Sequence, residues 1–171
     1  MLTWPTMIVA AFLTWAPPVP PKVLVFGWSL LRQVDPALSL SISDVETGHL
    51  PESLRDQARG PGGVGRMQSN PCHWERFLFG SPARITQARR TKGYRAMAPK
   101  ARAAFIAALK IPNYNAAVST LLLAEALYDC HTQDGAASGY NTGKCHGGIK
   151  GEKYAKDVRG ALRRYRPPKG S

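Results

Sequence analysis

The sequence predicts an all-α (mainly α) fold, on three observations. Apolar residues recur three and four positions apart in successive segments, and the breaks between them carry helix start and stop residues. No stretch reads as a strand of a sheet. At 171 residues and 44% hydrophobic content the chain has room for one compact unit with a core, which excludes wholesale disorder. A net charge of +12 points to a class of partner, such as nucleic acid, an anionic membrane or an anionic cell-wall polymer, and to no reaction.

Residues 1–21, MLTWPTMIVAAFLTWAPPVPP, hold no charged side chain and carry an apolar run from Met7 to Ala16 that stops at a proline cluster. Two readings stand side by side: a signal-like segment for export or membrane association, without the usual leading Lys or Arg, and a surface-lying extension. The run is short for a membrane span. The main domain is expected over 22–166, with a short tail at 167–171.

The first helix is expected in VLVFGWSLLRQV, where Val23, Phe26, Leu30 and Val34 recur at helical spacing and Gly27 is a weak point. Asp35-Pro36 then starts a second, with an N-cap acceptor followed by proline at the first helical position. It runs to about Thr47, and Gly48 is expected to stop it in a left-handed conformation. Leu38, Ile42 and Val45 form one stripe; Ser39, Ser43 and Glu46 form another. Glu46 therefore projects from the last turn, beside the negative end of the helix dipole, which raises its pKa. A carboxyl that stays protonated can donate a proton to a leaving group. The ordinary alternative is a solvated surface carboxylate.

Residues 48–71 are loop-like, and Gly60-Pro61-Gly62-Gly63 marks a hinge or a close approach of chains. From Trp74 to Pro112 the helical patterns are short and basic, with no Asp or Glu between Glu75 and Glu125; the stretch suits a solvated face or a grip on an anionic polymer. Asn115 is expected to cap an apolar helix carrying Val118, Leu121, Leu122 and Tyr128, central to the core. A short small-residue helix follows in DGAASGYNTGKC, and a last one places Tyr154, Val158, Leu162 and Tyr165 on one stripe. That makes about six helices.

Cys72, Cys130 and Cys145 are each followed by histidine, but no CxxC or HxxxH pair sets two metal ligands together, so no metal or other cofactor is expected. In an exported protein Cys130 and Cys145 would be the pair to bridge.

Three motifs occur in a telling order: Glu46-Thr47-Gly48 at a helix end, Gly65-Arg66-Met67-Gln68 in a turn, and Tyr140-Asn141-Thr142-Gly143 after the apolar helix. The series resembles the lytic transglycosylases (SLT domain) of the goose-type lysozyme superfamily, whose motifs are a helix-terminal Glu-Ser-Gly, a Gly-Leu-Met-Gln turn and a Tyr-Asn-x-Gly. It covers roughly residues 23–75 and 113–165. Residues 76–112 stand as a basic insertion. The resemblance implies a lysozyme-like helical domain with a central buried helix and a substrate cleft.

It further implies Glu46 as catalytic acid and base, with Thr47, Met67, Gln68, Ser69, Tyr140 and Asn141 binding the sugar. Its implied partners are peptidoglycan glycan strands and, since the family includes type IV secretion components and phage-borne relatives, a cell-envelope-spanning secretion or phage machine. The implied location is periplasmic or extracellular, with membrane or virion association. Arg66 stands where the family has an apolar residue, so either the turn is displaced or the guanidinium reaches solvent.

Glycosidic cleavage normally uses two carboxyl groups. Here Glu46 alone has a convincing setting, because Asp44 points elsewhere on the helix and neither Glu52 nor Asp56 has a motif around it. One acid suffices where the substrate's N-acetyl group assists. Three other readings stay open. One is a hydrolytic lysozyme of the same fold, helped by a loop acid such as Asp56. Another is a nucleic-acid-binding protein using Arg84, Arg89, Arg90, Lys92 and Arg95, although no motif for specific nucleic-acid recognition accompanies them. The third is an inactive glycan-binding relative.

Overall fold

A computed structural model describes residues 19–60, 63–70 and 99–166. The apolar run Met7–Ala16, Pro61 and Gly62 of the hinge, Cys72 with His73, the arginines of the nucleic-acid reading, and the tail lie outside those residues. Among the described residues the fold is all-α: α1 (Pro21–Leu31), α2 (Pro36–Thr47), α3 (Glu52–Arg55), α4 (Pro99–Leu109), α5 (Pro112–Cys130), α6 (Gln133–Thr142) and α7 (Gly148–Leu162). Two isolated antiparallel bridges join Arg59 with Val64 and Val64 with Ser69.

The 19-residue α5 is the spine, with α1, α4 and α6 packed against it, while α2 lies between α1 and α7. The main core gathers Leu38, Ile42, Met67, Leu123, Ala136 and Val158. A smaller one holds Val64, Phe105, Leu109, Val118 and Leu122, and Tyr140 packs against both. Phe105 and Leu109 come from α4, so the described end of the basic stretch belongs to the fold.

α2 starts as its sequence dictates: Asp35 Oδ1 accepts the Ala37 N–H at 2.9 Å, and Pro36 fills the first turn. Both of its stripes turn inward along most of their length: Ser39 and Ser43 are buried alongside Leu38 and Ile42, Ser41 is buried beside them, and Val45 and Glu46 at the C-terminal end are half-buried. Small side chains on that second face let neighbouring elements approach closely. Its stop differs from expectation. Gly48 has a right-handed φ of −62°, and glycine is required because a Cβ there would come 2.2 Å from the Asp44 carbonyl oxygen.

Three further expectations are corrected. α1 buries Val25 and Ser29, whereas Val23, Phe26 and Leu30 face outward; of the expected stripe only Val34, beyond the helix, is buried. Ser29 can sit inside because its hydroxyl donates to the Val25 carbonyl at 2.6 Å. α5 begins at Pro112 with Ile111 as its cap, so Asn115 caps nothing; proline at the first position sets the start, and the Asn115 side chain is engaged elsewhere. Tyr128 is exposed rather than central. It lies seven residues beyond Leu121, itself only partly buried, and continues that outer side.

A disulfide joins Cys130 at the end of α5 to Cys145 after α6, 15 residues on. Closing a loop of that length contributes about 3 kcal/mol by restricting the unfolded chain. Replacing both cysteines by serine is expected to lower the denaturant midpoint accordingly; an unchanged midpoint would show that the loop needs no tether.

Candidate active site

The site is built on the turn at 63–69. Gly65 has φ +78°, and a Cβ there would sit 2.4 Å from Asn115 Nδ2 and from the Leu109 carbonyl oxygen, so only glycine fits. Val64 and Ser69 exchange two backbone hydrogen bonds, each 3.0 Å long. Asn115, fully buried, holds the turn from α5: its Oδ1 accepts the Met67 N–H at 3.0 Å and its Nδ2 donates to the Val64 carbonyl at 2.9 Å. Gln68 closes the turn onto the hinge, its Nε2 donating to the Gly65 carbonyl and its Oε1 accepting the Gly60 N–H, both at 2.8 Å.

Two further bonds fasten the catalytic candidates to this turn. The Thr47 hydroxyl donates to the Arg66 carbonyl at 2.8 Å, pinning the last turn of α2 beside it. The Tyr140 hydroxyl donates to the Met67 carbonyl at 2.7 Å, pinning α6. Ser69 and Ser119 meet hydroxyl to hydroxyl behind them.

Arg66 neither displaces the turn nor reaches solvent. Its guanidinium is buried, with Nε and Nη2 donating to Asp56 at 2.9 and 3.2 Å and Nη1 lying 2.8 Å from Glu52 Oε1. Glu52 at the start of α3 and Asp56 just after it thus accommodate the charge, and Asp56 is committed to that pair.

Glu46 is half-buried at the end of α2, and its Oε1 accepts the Tyr154 hydroxyl of α7 at 2.6 Å. Burial raises its pKa, and the Tyr154 hydrogen bond opposes that rise only in part. Burial likewise pushes the Tyr154 and Tyr140 phenols up, reinforced by the charge of Glu46, so both stay neutral donors. With Oε1 taken by Tyr154, Oε2 is the oxygen left to carry a transferable proton. Asp44 turns away as its spacing implies: it pairs with Arg55 at 3.0 Å and accepts the Tyr165 hydroxyl at 2.7 Å.

Among the described residues no group of three His, Cys, Asp or Glu is placed to hold a metal ion. No protein-family model, curated protein or solved structure matches the chain.

The motif residues divide by exposure. Glu46, Met67 and Tyr140 are brought together through α2, the turn and α6. Thr47, Met67 and Ser69 are at most 1% exposed, so burial withdraws them from the direct sugar contact that the resemblance implied; they position their neighbours. Gln68 is partly exposed but spends its amide on the turn, and Asn141 stands exposed at the end of α6. Sequence reasoning missed Tyr154 and Asn115. Tyr154 lay on a packing stripe, where only its hydroxyl signalled a need for a partner. Asn115 had a conspicuous polar side chain in an apolar helix, and that was its signal.

Proposed function

We propose that this protein is a lytic transglycosylase that cleaves the bond between N-acetylmuramic acid and N-acetylglucosamine in peptidoglycan. The observation that carries the reading is Glu46: one half-buried carboxyl with a raised pKa, oriented by Tyr154, at the end of a helix locked to the Met67–Gln68 turn. The motif order supplies the substrate class.

In this reading Glu46 donates its Oε2 proton to the glycosidic oxygen as the bond from the anomeric carbon breaks, and the muramic N-acetyl carbonyl stabilises that carbon. The carboxylate then takes the proton of the same sugar's primary hydroxyl, whose oxygen closes onto the anomeric carbon. An anhydro-muramic end forms, Glu46 is protonated again, and no water is consumed. The hydrolytic alternative with Asp56 as second acid is disfavoured because Arg66 holds that carboxylate in a bidentate pair. The Cys130–Cys145 disulfide supports a periplasmic or extracellular setting.

A zymogram on cell-wall material tests the activity: clearing by the wild-type protein is expected, and its absence under conditions where the fold is intact would overturn the reading. A second expectation concerns pH. Tyr154→Phe removes a hydrogen bond that favours ionised Glu46, so the Glu46 pKa rises further. Since kcat/KM needs the protonated acid, the alkaline limb of its pH profile should move upward; a downward shift would assign Tyr154 a different role.

A further inference from the structure

Helix α1 turns an apolar face to the outside. Val23, Phe26 and Leu30 are 54%, 47% and 56% exposed, with Leu31 at 74% and Val19 at 48% beside them. Positions 23, 26, 27, 30 and 31 share one side of a helix with 3.6 residues per turn, opposite the buried Val25 and Ser29. A surface helix ordinarily carries charge there, yet between Lys22 and Arg32 there is none. Gly27 lies in the middle of that side, with nothing within 4 Å of the place a Cβ would occupy.

Sequence and charge favour one occupant. Lys22 is the sole charged residue from Met1 to Leu31, so the chain running into α1 has the same apolar character as its outward face. Lys22 and Arg32, both exposed, bracket the face, and the whole chain carries +12, which suits a surface of opposite sign. Eleven residues reach about 16 Å, far short of a bilayer core of about 30 Å, so α1 can lie along an interface but not cross it. A second copy fits poorly: five side chains offer a few hundred Å2, below the roughly 1,200 Å2 of a stable interface, and two strongly cationic chains repel. We propose that the outward face of α1 seats the protein in the headgroup region of an anionic phospholipid membrane.

Gly27→Glu tests this with little disturbance, because it fills open space, replaces a weak helix former and puts a negative charge at the centre of the face. The full chain is sedimented with phosphatidylcholine vesicles containing phosphatidylglycerol, with Gly27→Ala as control. Wild type and Gly27→Ala should bind alike, and Gly27→Glu should lose on the order of ten-fold in partitioning with an unchanged melting temperature. Should Gly27→Glu fail to fold, Phe26→Ser removes the same contact by deletion and should give the same loss. Binding by these variants equal to wild type would overturn the proposal and assign any binding to residues 1–18 or to bulk charge. Failure of wild type to sediment would overturn it too, as would a lipid-free dimer that Gly27→Glu dissolves.

Discussion

Glu46→Gln is expected to abolish lysis of cell-wall material while leaving the fold standing. General acid–base catalysis is worth about 10²–10⁴-fold, and here one group performs both transfers, so the loss should reach the upper end, about 10⁴-fold. Gln presents the same shape, and its amide oxygen can accept the Tyr154 hydroxyl as Oε1 does now. Stability has its own sign. Because the folded pKa of Glu46 is raised above its ordinary 4.5, its contribution is fully present below that value and is lost as pH rises through the folded pKa. Above the folded pKa Gln avoids the burial of an ionised carboxylate, so there the variant should melt at the same temperature as wild type or higher, with the difference closing in acid. Calorimetric melts from acid to alkaline pH check this; a variant less stable at the alkaline end would mean that the charge itself is needed for folding.

Asn115→Ala should cause the largest loss of stability among the site residues. It strands the Met67 N–H in the buried interior, worth about 1–3 kcal/mol when left unpaired, and takes from the Val64 carbonyl one of its two donors, leaving it the Ser69 N–H. A total near 3 kcal/mol lowers the melting temperature by about 10 °C in a chain of this size. Activity should fall with it at temperatures where the protein remains folded, since the Met67 carbonyl that receives Tyr140 loses its support. A shift of only a degree or two would show that the turn holds without Asn115. Removing Arg66 should cost stability as well, because Asp56, only 16% exposed, would lose its bidentate partner, whereas Glu52, 55% exposed, can hydrate.

What local sequence encodes was legible. Asp35-Pro36 starts α2 by a bond between neighbours, and helical periodicity sufficed for an all-α fold. The Cys130–Cys145 pair was foreseeable because the two are separated by one short helix. Interactions between distant segments were hidden. Arg66 read as a misfit because its partners Glu52 and Asp56 sit in and just after the four-residue α3, too short for periodicity to report. Tyr154 meets Glu46 across 108 residues, and its stripe described packing correctly without revealing where the hydroxyl points. Periodicity also gives a helix without saying which side is inward. In α1 that choice went to Val25 and Ser29, since a serine can satisfy its hydroxyl on its own helix and so be buried.

The masses of fragments released from purified peptidoglycan test the single-carboxyl route most directly. Wild type should yield muramic ends lighter by one water than reducing ends, and Glu46→Gln should yield none. Reducing ends from wild type, or anhydro ends still formed by Glu46→Gln, would contradict it.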